Sequence, residues 1–178
     1  MGFGFCIPNN PYDQVAIRLG PVQTKVHHRL RECVSSHWKS ETWDPRESVF
    51  YLQVASHNTS SHSTGHAALN LNYLRGLPPE LARSVYIIML ESSEATGEVG
   101  SEKQIWEATI CVLLYQMEQR LMEITKWDGK LPRAPVTPRA RAALIYRTGQ
   151  VNIMEEVISD LKSFIGILKE GDVDIKNL

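Results

Sequence analysis

The hydrophobic rhythm of the chain changes partway along. Near the N-terminus the period is two. Val15, Ile17 and Leu19 alternate with Ala16 and Arg18, which predicts a short half-buried strand closed by Gly20-Pro21. Just before it, Pro8-Asn9-Asn10-Pro11 is a turn signal, because Asn tolerates left-handed geometry and Pro fixes φ. Val22, Val26, Leu30 and Cys33 or Val34 then recur at helical spacing and predict an amphipathic helix over 22–38. Residues 49–54 suit either a second short strand or an irregular segment. Residues 56–66 are small, polar and aperiodic, which predicts a loop.

From Ala67 onward the period is three to four. A short helix is expected over 69–74, stopped near Gly76. Pro78-Pro79-Glu80 opens the next, with Leu81, Val85, Ile88 and Met89 as its buried face; proline suits a first helical turn, where the N–H has no partner. Residues 92–100, rich in Ser, Glu and Gly, are expected to form a loop. Ser101-Glu102-Lys103-Gln104 is a capping box that starts a long helix, with Ile110, Leu114, Met117, Leu121 and Ile124 as its stripe and an end near Gly129. A Pro-rich connector follows over 129–137. Thr137-Pro138 caps and opens a further helix with Ala140, Ala143, Leu144 and Arg147 on one side. Gly149 interrupts it, and a kink or sharp turn is expected there. Val151, Met154, Ile158, Leu161, Ile165 and Leu168 continue the pattern, and the chain is expected to fray from Gly171. The fold class that results is mainly α, a C-terminal antiparallel helical bundle with short N-terminal strands.

Composition narrows the function classes. At 178 residues with 43% hydrophobic positions, the chain is long enough to bury one core without disulfides or metals. Nineteen basic residues face twenty acidic ones, a net charge of −1, so neither a nucleic acid nor a membrane surface is the expected partner. No apolar run approaches the roughly 18 residues of a membrane span, and no secretory leader is evident. Cys6, Cys33 and Cys111 form no C-x-x-C pair. Free thiols fit a reducing compartment, so a cytoplasmic or nuclear location is expected. Cys111, inside an apolar run, is expected in the core.

Candidate chemistry is sparse. All six histidines lie between His27 and His66, and His57, His62 and His66 fall in the polar loop without the partners of a zinc site. No nucleophile elbow, P-loop or dinucleotide fingerprint occurs. The carboxylate pairs Glu155-Glu156 and Glu118/Glu123 are expected on solvated helix faces. The residues alone describe a helical binding module, and an independent small enzyme would need a polar pocket that they do not advertise.

Two stretches add to this. Gly2-Phe3-Gly4-Phe5, with the Pro8-Asn9-Asn10-Pro11 turn, Asp13 and the strand Val15-Ala16-Ile17, resembles the segment that follows the catalytic core in SET-domain methyltransferases of the Rubisco large-subunit methyltransferase type. Arg147-Thr148-Gly149-Gln150, within 142–154, is similar to a helix junction near the end of that family's C-terminal domain. Val151 and Asn152 stand where the family often has a basic pair. The resemblance implies a division at 1–20, the end of a SET domain and a strand, and 21–178, a helical substrate-binding domain. In the family the SET domain binds S-adenosylmethionine and presents the target, usually a lysine and in one branch a histidine, while the helical domain helps to recognise the protein substrate. Phe3 and Phe5 would be the last SET residues, near the cofactor's adenine. The family's cofactor and catalytic elements precede that triplet, so the chain alone is expected to hold no catalytic residue, no metal and no cofactor. The implied function is substrate recognition for a protein-lysine methyltransferase, with a protein substrate as partner and self-association through the face a SET domain would cover. The alternative is a stand-alone helical protein-interaction module.

Overall fold

The computed structural model describes residues 8, 10–18, 49–53, 74, 76–96, 100–126 and 137–170. Two strands, β1 (Gln14–Arg18) and β2 (Val49–Gln53), pair antiparallel with Val15 opposite Leu52 and Ile17 opposite Phe50. Directly opposed residues share a face. These four apolar side chains therefore make one buried surface, while Gln14, Ala16 and Arg18 look outward. The helical expectations over 22–38 and 69–73, the histidine-bearing loop, Leu19 and the tail from Gly171 lie outside the described residues.

Three helices follow among the described residues: α1 (Pro79–Thr96), α2 (Glu102–Thr125) and α3 (Pro138–Glu170). Each start obeys its local chemistry. The Pro78 carbonyl accepts from the Leu81 N–H at 3.0 Å. In the α2 capping box the Gln104 N–H donates to Ser101 Oγ (3.3 Å), and the Ser101 N–H donates to Gln104 Oε1 (2.7 Å). Thr137 Oγ1 accepts from the Ala140 N–H at 3.1 Å.

Two ties set α2 and α3 antiparallel. Arg147, early in α3, reaches the Ile124 carbonyl near the end of α2, and Lys162, late in α3, pairs with Glu118 further back along α2. Ile110, Leu113 and Met117 of α2 meet Met154, Leu161, Phe164 and Leu168 of α3 in one core, which Leu81 and Val85 of α1 and the sheet's inner face complete. The Tyr86 and Trp106 rings stack at a centroid distance of 4.4 Å and join α1 to α2. The mainly α architecture with a small N-terminal sheet is the one the hydrophobic periods predict.

Four local expectations are corrected. α1 does not stop at Ser92 but runs to Thr96, because 92–96 contains no Gly or Pro and the first breaker is Gly97. Gly149 does not interrupt α3 with a sharp turn, because it lies inside one continuous helix of 33 residues. One glycine in a long helix costs only about 1 kcal/mol against alanine, less than the packing on either side returns. Ala140, Ala143 and Leu144 are exposed, so the buried face of α3 begins at Gly149 and Ile153. Cys111 is exposed rather than core, one position past the fully buried Ile110.

Gly76 ends no described helix; it is a packing point. A methyl group there would come within 2.9 Å of both the Gln53 carbonyl oxygen and a Val157 methyl. The Gln53 N–H donates to the Gly76 carbonyl at 3.2 Å, so this glycine lets β2 lie close to α3.

Ser84 Oγ is fully enclosed and has no hydrogen-bond partner among the described residues. An unsatisfied buried hydroxyl is a cost. Ser84→Ala is therefore expected to stabilise the fold by about 1 kcal/mol, aided by alanine's higher helix propensity. Urea unfolding followed by circular dichroism checks this; a lowered midpoint would contradict it.

Candidate functional site

The turn before β1 and the Gly149 junction of α3, far apart in sequence, are in contact. The Asp13 N–H donates to the Asn10 carbonyl at 3.0 Å, and Asn10 Nδ2 donates to Asp13 Oδ1 at 3.1 Å. This closes the turn around a buried carboxyl group. The other carboxylate oxygen, Oδ2, lies against the bare Cα of Gly149, where any side chain would overlap it. Both stretches that carried the family resemblance thus converge on one spot. The glycine is there for a close approach.

An open groove of about 520 Å³ lies between β1 and α2. Its described lining comprises Ala16, Ile17 and Arg18 on one side and Tyr115, Gln116, Met117, Gln119, Arg120 and Glu123 on the other. Side chains alternate across a strand. Three successive residues of β1 line the groove, so it meets the C-terminal half of the strand at its side or end and not on one face. Met117 and Ile17 form the floor, while Tyr115 stands 63% exposed on the wall. Arg120 Nη1 pairs with Glu123 Oε2 at 2.9 Å on the helix surface. Arg18 has no counter-ion among the described residues. Tyr51, opposite Ala16 in the register and 48% exposed, adds a second ring on the sheet's outer face.

Sequence reasoning missed this groove. One signal was present: α2 is apolar beyond its core stripe, with Cys111, Tyr115 and Met122 all exposed. The carboxylates read as solvated behave so, since Glu155 and Glu156 are exposed and Glu118 and Glu123 are in surface ion pairs. Phe3 and Phe5 lie outside the described residues, as do all six histidines. Among the described residues no group of three His, Cys, Asp or Glu could hold a metal ion. Nor is any described helix long and apolar enough to cross a membrane.

No family model matches the chain, and no solved structure matches it. Among curated proteins it is similar to the ribosomal lysine N-methyltransferase set10 of Schizosaccharomyces pombe, at 23% identity over 168 residues. That alignment takes in 93% of this chain but only 28% of the yeast protein. The chain is thus distantly similar to a lysine methyltransferase, and it spans under a third of that relative's length.

Proposed function

We propose that this chain is the substrate-recognition unit of a SET-type protein-lysine methyltransferase, a helical body that grips a protein while chemistry takes place elsewhere in the full-length enzyme. The observation that carries the reading is the lysine methyltransferase match along almost the whole helical unit. The meeting of the two family-like stretches at Asp13 and Gly149 supports it, because distant segments that resemble one family are in contact in one fold. In this reading the division falls near residue 20, Phe3 and Phe5 belong to the end of the catalytic domain, and the partner is a ribosomal protein.

The groove does not fit S-adenosylmethionine. Arg18 and Arg120 against Glu123 leave its charged lining net positive, and the donor is also net positive, since its sulfonium and ammonium groups outnumber its one carboxylate. It also lies open to solvent. In this reading the cofactor belongs to the catalytic domain of a longer enzyme. Methyl transfer demands an in-line arrangement of nucleophile, methyl group and leaving sulfur, so positioning supplies much of its rate. A unit that holds the protein raises the local concentration of its lysine to the order of millimolar even when its own affinity is modest.

The test is a titration of the purified chain with individual ribosomal proteins and with basic non-ribosomal controls, by calorimetry. The expected result is saturable binding of a ribosomal protein, with a dissociation constant on the order of micromolar, and no methyl transfer from radiolabelled S-adenosylmethionine to the same panel. Turnover by the chain alone would overturn the reading. So would indifference to every ribosomal protein, which would leave a stand-alone interaction module for other partners.

A further inference from the structure

The geometry points to the outer edge of β1 as a docking strip: an extended segment of the partner protein adds to the sheet as a third strand, in the groove beside α2, and places an acidic side chain next to Arg18. The inference rests on the proposed role in protein recognition and names the conformation and chemistry of what is recognised.

The first support is the strand itself. β1 pairs with β2 and, among the described residues, with no other strand. Among the described residues no backbone group pairs with its other edge, although the free side of β2 is engaged where Gln53 meets Gly76. Every second residue of β1 therefore directs an N–H and a C=O away from β2. A row of such groups is a ready template for another strand. Proteins that read extended peptides use such edges, with backbone bonds supplying affinity and alternate side chains supplying selectivity.

The second support is the groove. The groove reaches Ala16, Ile17 and Arg18 of β1, and its described far wall is α2 rather than another strand. The space is bounded on one side by three strand residues, of which Ala16 and Arg18 direct their backbone groups away from β2, and on the other by Tyr115 and the polar side chains of Gln116 and Gln119. An extended chain presents both a hydrogen-bonding edge and alternating side chains, so it matches the two walls at once. Tyrosine is favoured in such contacts because its ring offers area at low entropic cost.

Charge selects the partner. Arg120 is already neutralised by Glu123. Arg18, exposed at the end of β1, is the charge in the described lining that has no counter-ion among the described residues. On an added strand, the residue directly opposite Arg18 is its cross-strand neighbour, where opposite charges attract. The favoured segment alternates apolar residues with one glutamate or aspartate.

The experiment selects random dodecapeptides on the intact chain and resynthesises the best binder with single N-methylated amides along its length. N-methylation removes one backbone donor and leaves the side chain in place. The expected result is a period of two: methylation at alternate positions lowers affinity about tenfold, the equivalent of one hydrogen bond of about 1.4 kcal/mol, and the intervening positions are indifferent. The selected peptides share a carboxylate. Arg18→Gln weakens them about fivefold, and Arg18→Glu shifts preference to the lysine-substituted peptide, with an unchanged circular dichroism spectrum. An N-methyl scan without that period, or insensitivity to Arg18, overturns the inference even if a ribosomal protein binds the chain. Failure of every ribosomal protein to bind overturns the wider reading instead. If the wild-type chain dimerises and Arg18→Glu abolishes the dimer, the strip belongs to a second copy and the inference falls.

Discussion

Gly149→Ala is expected to lower the unfolding free energy by about 2 kcal/mol, the reverse of what helix propensity alone predicts. Alanine in the interior of a helix is favoured over glycine by about 1 kcal/mol. In a surface helix the change would therefore stabilise. Here the new methyl group would overlap Asp13 Oδ2. Asp13 is not the loose end of a long side chain. Its carboxyl group is buried and accepts from Asn10 Nδ2, and its own N–H closes the turn onto Asn10. Relief of the overlap would therefore strain the turn or push β1 away from α3, and such overpacking costs about 1–3 kcal/mol. Loss of the Asn10 hydrogen bond adds about 1 kcal/mol. A double-mutant cycle isolates the cause. Asp13→Ala alone should cost about 1 kcal/mol. In the Asp13→Ala background Gly149→Ala should become neutral or favourable, a coupling of about 2 kcal/mol between residues in contact. Denaturant unfolding of the four proteins reads this directly. Additive effects would mean that the contact is not what constrains Gly149.

The same glycine shows where the sequence was legible and where it was not. Signals that act within one turn of chain were readable: the Ser101–Gln104 capping box, the Thr137 cap and the Val15/Ile17 alternation all stand in the structure as their spacing implies. Signals whose meaning depends on a distant partner were misread. Gly149 looked like a breaker because its actual neighbour, Asp13, enters from the other end of the chain. Cys111 looked like core because an apolar run does not say which of its faces is covered. The groove had no local signature for the same reason. An unpaired strand edge becomes a feature only once β2 takes the opposite side of β1, and Tyr115 becomes a wall residue only once α3 claims the other face of α2. Ile88 and Met89 were placed on the buried face of α1 and are half-buried, while the fully covered residues include Ala82 and Ser84, small enough to be overlooked in a stripe defined by bulk.

Arg147 is the second position where one side chain governs the arrangement of the helices. Its Nε and Nη2 both donate to the Ile124 carbonyl, with Nε at 2.9 Å. The last carbonyls of a helix have no partner within it and carry partial negative charge. Arg147 thus caps α2 from α3, across the connector between them, and fixes where the second helix begins relative to the end of the first. Hydrogen bonds to a charged group contribute about 1.5–3 kcal/mol, and a cation at a helix C-terminus adds about 0.3–1 kcal/mol. Arg147→Met, which retains the aliphatic stem, is therefore expected to cost about 2 kcal/mol. Arg147→Lys separates the two contributions. It keeps the charge but loses the planar fork that places two donors on one oxygen, so about half of the loss should remain. Equality of the lysine variant with the wild type would make the helix dipole the whole effect, and equality with the methionine variant would make the fork the whole effect. Hydrogen exchange gives an independent readout. Amides in the last turn of α2 and the first turns of α3 should lose protection in Arg147→Met, while those around Leu161 and Phe164, buried deep in the core, should keep theirs relative to the new global stability. Uniform loss across all three helices would mean instead that Arg147 supports the whole bundle and not its α2–α3 corner.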